Sequence, residues 1–221
     1  MSLQAPESVQ KLQAALHAKA KELPSFRFYV LYDKVYREDV LAHAWRLAKA
    51  NGGSAGVDGQ RFSDIENYGV ERWLGELAED LRKRTYRPQP VRRVYIPKPD
   101  GRKRPLGIST IRDRVAQTAA VLVLAPIFEA DLQPEQYAYR PGRNAHVAVR
   151  HVHRLLNTGY RDVVDADLSG YFDSIPHAEL LASVHKMRGA GTARFPDEHL
   201  YHGLGLKRLT LSTRNLPWAK A

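Results

Sequence analysis

The feature that most restricts this chain is a concentration of charge. Between Arg82 and Arg104 lie ten basic residues: Arg82, Lys83, Arg84, Arg87, Arg92, Arg93, Lys98, Arg102, Lys103 and Arg104. One acid, Asp100, accompanies them, so the stretch carries +9 of the formal +10 of all 221 residues. The rest of the chain is close to neutral. A charge run in isolation reads as a solvated face, but three features point further. Tyr86, Val91, Val94, Tyr95 and Ile96 interrupt the cations, so the run belongs to folded structure. Pro88, Pro90, Pro97 and Pro99 stiffen it. Seven of the ten cations are arginine, whose planar fork suits bidentate phosphate contacts. Nucleic acid or another polyphosphate is the partner this pattern fits.

The local pattern places these cations on a hairpin. Val91 to Ile96 reads as a strand, Asp100-Gly101 as its turn signal, and Lys103 to Ile108 as the return strand. Helices surround it. Val9, Leu12, Leu16 and Leu23 predict a helix over 8–23 that Pro24 stops. Asp39 suits the cap of a second helix through Ala48, ended by Asn51-Gly52-Gly53. A glycine-rich loop, 52–59, follows; as a phosphate cradle it is a weak signal, and a flexible connector is the plainer reading. Val70, Trp73, Leu74, Leu77 and Leu81 mark a third helix. Arg112 to about Phe128 forms a fourth on Val115, Ala119 and Leu122, with Pro126 perturbing its last turns. Tyr139 to Arg143 is a basic turn, Asn144 caps a helix through Asn157, and Ser174 and Pro176 open another.

Hydrophobic residues make up 43% of the chain, enough to bury a core. The absence of cysteine excludes a disulfide scaffold, a thiolate zinc site and a thiol nucleophile. Met1 to Glu7 shows no secretory pattern. The most apolar segment, Ala119 to Phe128, is about half the ~20 residues a membrane span needs. The expectation is a cytoplasmic protein with no membrane partner.

Val163 to Leu168 reads as a buried strand ending in acid. Alternation puts Val163, Asp165 and Asp167 on one face and Val164, Ala166 and Leu168 on the other. Two carboxylates at such a strand end suit magnesium, which takes one or two and completes its shell with water and phosphate oxygens. Turn capping or pairing with arginine is the alternative. Tyr171-Phe172-Asp173 follows at once and sets an aromatic beside the acids.

In order and spacing, these motifs resemble the N-terminal part of group II intron reverse transcriptases/maturases. Ile96 to Ile108 is similar to that family's fingertip hairpin, and Asn51 to Gly59 to the extension ahead of the fingers. Asp113 to Gln117 and Tyr139 to Ala145 are similar to its next block, and Asp165 to Ile175 to its first catalytic block. The resemblance covers about residues 8–181. It implies an α+β fold: reverse-transcriptase fingers with a fingertip β-hairpin, a helix-rich N-terminus and an incomplete palm sheet. Residues 1–60 would hold the N-terminal helices and extension loop, 61–160 the fingers and 161–184 the start of the palm. Residues 185–221 would be an atypical tail without sustained periodicity, possible disorder included. The implied activity is RNA-directed DNA synthesis, with template or intron RNA, a DNA primer and a deoxynucleoside triphosphate as partners.

The resemblance also implies roles. Lys98 and Arg104 would grip the incoming triphosphate. Asp167 would be catalytic and hold Mg2+ with the Leu168 carbonyl. Phe172 would pack under the sugar and exclude a 2′-hydroxyl; core packing is its other reading. Arg82, Lys83, Arg84, Arg87, Arg92, Arg93 and Arg143 would contact RNA.

One part of the family pattern is missing. Two divalent ions ~4 Å apart repel by roughly 16 kcal/mol at an effective dielectric of ~20, more than one carboxylate offsets. The family supplies further acids from an Asp-Asp turn, and no Asp-Asp pair occurs in this sequence. The expectation is a truncated product with a frame-shifted tail that binds magnesium weakly or not at all and synthesises no DNA alone; the sequence does not tell whether a complementing fragment exists. The downstream coding DNA tests the frameshift. Two other readings stand beside it: a non-catalytic RNA-binding module, and a phosphatase using Asp165 and Asp167, for which Ser169 is the wrong following residue. His151, His153, His199 and His202 lack the neighbours of a closed zinc site.

Overall fold

The apolar spacing closes into helices along most of the chain, and a computed structural model describes residues 3–97, 99, 101–160, 162, 165 and 174–188. In order these form α1 (Glu7–Glu22), α2 (Tyr32–Val35), α3 (Glu38–Asn51), α4 (Phe62–Tyr68), α5 (Val70–Lys83), β1 (Arg92–Pro97), β2 (Lys103–Ile108), α6 (Ile111–Glu129) and α7 (Ala145–Asn157). An eighth helix, α8, runs His177–Arg188, four residues past Val184. The strand predicted over Val163 to Leu168 falls on residues outside the described set, except Asp165, which is exposed. The described part mixes helices with one small antiparallel sheet, which is compatible with a reverse-transcriptase fragment.

Helix α6 is the centre. Ile111, Val115, Ala119, Val123 and Ile127 recur every fourth residue, and all are buried. A four-residue step overshoots a helical turn by about 40°, so the row sweeps about 160° around the axis over four steps. That sweep lets one helix pack against α1, α2 and α3 in turn. Leu122, the third residue of the predicted stripe, is only partly buried. α5 packs on α3, where Trp45 lies between Phe62 and Trp73, with ring centroids 5.4 and 5.6 Å away.

Two expectations are corrected. Asp39 is not the cap of α3; Arg37 holds that position, and its guanidinium bonds the Asp39 carboxylate at 3.0 and 2.6 Å. Asp39 instead sits in the first turn, where it accepts from the Val40 N–H at 3.0 Å. Pro126, the second, does not disturb the end of α6, which continues to Glu129. Proline has no N–H for the carbonyl four residues back, which is that of Leu122. The Gln13 side-chain amide of α1 donates to that carbonyl at 3.0 Å and replaces the missing partner. Gln13→Leu should therefore orphan the Leu122 oxygen and lower stability by about 1–2 kcal/mol, read as a lower urea midpoint at unchanged slope.

β1 and β2 form a two-stranded antiparallel hairpin with Arg93 opposite Gly107, Tyr95 opposite Pro105 and Pro97 opposite Lys103. Both prolines belong to the same alternate set of pairs. Lacking N–H groups, they fit only the set that exchanges no ladder bonds. A slip of one residue would split the two prolines between the sets and force one of them into the bonded set, so the prolines pin the register. Helix α7 begins as predicted, with the Asn144 side chain accepting from the Val147 N–H at 3.0 Å. It buries none of its residues.

Candidate nucleic-acid interface

The hairpin stands on a buried carboxylate. Thr110 ends the chain leaving β2 and caps α6; its hydroxyl accepts from the Asp113 N–H at 3.1 Å and donates to Asp113 Oδ2 at 2.7 Å. Asp113 is 1% exposed. Its other oxygen accepts from the Tyr86 hydroxyl at 2.5 Å, and Oδ2 also accepts from the Gln89 N–H at 3.2 Å. Tyr86 and Gln89 lie on the chain entering β1. One side chain therefore fastens both roots of the hairpin to the central helix. Burial, and then the neighbouring Asp113 carboxylate, push the Tyr86 phenol well above its usual range, so it remains a donor.

The glycine-rich loop is fastened to the same place. Arg114 donates to the Ser109 carbonyl from Nε at 3.1 Å and from Nη2 at 2.9 Å. It also donates to the Gly52 carbonyl at 3.2 Å and to the Ser54 carbonyl. Gly56 lies against the cap of α6: a Cβ there would be 2.7 Å from both Thr110 N and Thr110 Cα. Arg92 Nε donates to the Ala55 carbonyl at 3.1 Å, which ties the loop to β1. The loop is a clamped element of the hairpin's base. Beside it opens a cleft of about 710 Å³ whose walls include Ser54, Gly56, Arg61, Phe62, Ser63 and Arg92.

The cations predicted to meet RNA, together with Arg104, predicted to grip the triphosphate, fall into three places. Arg92, Arg93 and Arg104 are exposed on the hairpin, which packs neither face into the core. Alternation puts Arg92 and Arg104 on one face with Val94, Ile96 and Leu106, and Arg93 and Lys103 on the other with Tyr95. Arg82, Lys83, Arg84 and Arg87 gather at the end of α5 and just beyond. Arg82 and Lys83 pair with Glu79 at 2.8 and 3.1 Å. Arg84 closes the helix with φ 60°, and its guanidinium lies 5.9 Å from the Tyr32 ring centroid. Arg87 bonds the Arg84 and Tyr86 carbonyls at 3.1 and 3.0 Å. Arg143 is on a separate turn before α7, with its guanidinium 5.4 Å from the Tyr137 ring centroid. The charge run is thus less isolated than its sequence suggests, because Glu79 precedes it by one helical turn. Exposed pairs of this kind contribute about 0.3–0.5 kcal/mol, so a phosphate displaces them at little cost.

Lys98, Asp167, Leu168 and Phe172 lie outside the described residues. Among the described residues no three His, Asp or Glu side chains converge as a metal site would require. His151 Nδ1 lies 2.5 Å from the Tyr137 hydroxyl, and His199 and His202 lie outside the described residues. No described helix is long and apolar enough to cross a membrane. The roles of Tyr86 and Gly56 leave no local signature, and no role was expected for Asp113 or Arg114 either. A hint lay in Asp113-Arg114, a polar pair at the start of an otherwise apolar helix.

Comparison with known proteins places this architecture. Residues 96–199 match the family described as reverse transcriptase (RNA-dependent DNA polymerase). The match runs past Leu181, where the resemblance was expected to stop. The chain is 37% identical over 194 residues to protein YkfC of Escherichia coli (strain K12), covering 85% of this chain and 50% of that protein. It is 33% identical over 159 residues to the group II intron-encoded protein LtrA of Lactococcus lactis subsp. cremoris, covering 72% of this chain and 26% of LtrA. Over 73 residues it is 33% identical to nuclear intron maturase 2, mitochondrial, of Arabidopsis thaliana, or 33% of this chain and 10% of that protein. The chain thus spans at most about half the length of these relatives.

Proposed function

The chain belongs to the group II intron reverse transcriptase/maturase family, and we propose that its 221 residues hold template or intron RNA on the fingers side of an RNA-directed DNA polymerase. The observation that carries this reading is the hairpin: Arg92, Arg93 and Arg104 are exposed on a two-stranded arm rooted in a buried carboxylate. A rigid base fixes where the cations stand; Arg92 keeps its bond to the Ala55 carbonyl, and Arg93 and Arg104 are exposed to meet phosphates. The cleft beside the clamped loop adds Arg61 and two serine hydroxyls to that surface.

In the proposed polymerase, Lys98 and Arg104 neutralise the triphosphate of an incoming deoxynucleotide. Phe172 selects the sugar, and a DNA primer supplies the attacking hydroxyl. Asp167 and the Leu168 carbonyl are the groups proposed to hold magnesium, which supplies charge neutralisation at the phosphoryl group. With no Asp-Asp pair in the sequence, these 221 residues alone are proposed to bind RNA without extending a primer. That absence favours the reading of an RNA-binding, non-catalytic unit for the isolated chain.

The test is a salt titration of binding to an unpaired RNA oligomer. The slope of log K against log salt should be about −0.7 per phosphate contacted. Arg93→Ala and Arg104→Ala should each weaken binding several-fold and reduce that slope by about 0.7. Absence of binding at low salt overturns the reading. Primer extension on the same RNA, with magnesium and deoxynucleotides, should give no product; template-dependent product overturns the non-catalytic part.

A further inference from the structure

Tyr139 is the most exposed of the large hydrophobic side chains among the described residues, at 100%, and its backbone is left-handed with φ 58°. A residue with a Cβ adopts that conformation only against a steric cost, and a ring wholly in water makes no contact that offsets it. The neighbours nonetheless hold the turn firmly. Arg140, its side chain 11% exposed, donates to Glu129 at 2.9 and 2.6 Å and to the carbonyls of Gln133 and Gln136 at 2.6 and 3.2 Å. The Arg143 N–H closes the turn on the Arg140 carbonyl at 3.2 Å, with Gly142 at φ 71°. Beyond it, Arg143 lies over Tyr137, which meets His151 of α7. The turn is braced on both sides, and the one group it leaves without a role is the ring.

We propose that Tyr139 is a stacking platform for an unpaired nucleobase of bound RNA. A phenol ring has a flat face that accepts any base, and a ring held outward in advance loses little freedom on binding. The inference rests on the RNA-binding function proposed above and adds a contact to the base, where the hairpin cations offer contacts only to phosphate.

The experiment measures affinity of the full 221-residue chain for a labelled unpaired RNA oligomer, beside its thermal melting. Tyr139→Gly removes the ring and suits the left-handed backbone; Tyr139→Phe keeps a ring. Tyr139→Gly should bind about tenfold more weakly with the salt slope unchanged, because a neutral ring releases no counterions, and should melt no lower than the unaltered chain, because glycine relieves the left-handed backbone. Tyr139→Phe should bind as the unaltered chain does. An oligomer of abasic nucleotides should bind both variants and the unaltered chain equally. If the unaltered chain binds RNA and Tyr139→Gly matches it, the stacking role is overturned while the RNA-binding reading stands. If the unaltered chain binds no RNA, both fall. A clear drop in melting temperature for Tyr139→Gly would assign the ring to protein packing and also overturn the proposal.

Discussion

Asp113→Ala should cost about 3–5 kcal/mol, a large part of the ~5–15 kcal/mol that holds a domain together. The substitution strands the Tyr86 hydroxyl, the Thr110 hydroxyl and the Gln89 N–H, all bonded to this carboxylate. Each buried donor left without an acceptor costs about 1–3 kcal/mol, and water reaches a side chain that is 1% exposed only after the packing opens. Asp113→Asn should cost roughly half as much, since one oxygen remains and the amide presents a donor to a donor. Urea unfolding measures both. Tyr86 and Gln89 lead into β1 and Thr110 follows β2, so hydrogen exchange should accelerate in the hairpin at concentrations that leave α1 and α3 protected. A loss under ~1 kcal/mol for Asp113→Ala would show that the network does not hold the hairpin's base.

Gly56→Val is the second large effect. The added Cβ would lie 2.7 Å from Thr110 N and Cα, which are backbone atoms at a helix cap and have no rotamer with which to yield. The loop must lift away. Overpacking of this kind costs about 1–3 kcal/mol, to which any loss of the Arg114 and Arg92 bonds to Gly52, Ser54 and Ala55 is added. We expect a fall of about 2–4 kcal/mol in stability, together with weakened RNA binding as the cleft beside the loop loses one wall. Gly75→Ala gives the opposite control. Gly75 lies inside α5 with open space where its Cβ would go, so alanine should stabilise by about 0.5–1 kcal/mol. Gly56→Val within ~0.5 kcal/mol of the unaltered chain would mean that loop and cap are not in contact.

Much of the framework was legible because it depends on near neighbours in sequence. A helix shows itself by apolar residues three and four apart, so α1, α3, α5 and α6 follow from spacing, and α7 from its Asn144 cap. The hairpin follows from alternation about Asp100-Gly101, and the register is reinforced by Pro97 and Pro105. Asn144 begins one helix and Gly52 ends another through bonds within four residues. The short helices α2 and α4, four and seven residues long, are too brief for any period to appear. The roles of Lys98, Asp167, Leu168 and Phe172 were read from motif resemblance, and they stand as proposals.

What only the tertiary structure decided lies between residues far apart in the chain. Pro126 reads as a perturbation of the last turns of α6 until Gln13, 109 residues away in sequence, is brought to the Leu122 carbonyl. Asp113 reads as an ordinary first-turn acid until Tyr86, 27 residues earlier, arrives at its oxygen. The physical reason is the range of the forces involved. Local steric preference and the hydrophobic period are written into a few consecutive residues, and they determined that this chain has helices around a cationic hairpin. Hydrogen bonds and close contacts act over about 3 Å of space whatever the separation in sequence, so only the packed chain determined which polar groups are buried, which glycine cannot change, and which cations remain exposed.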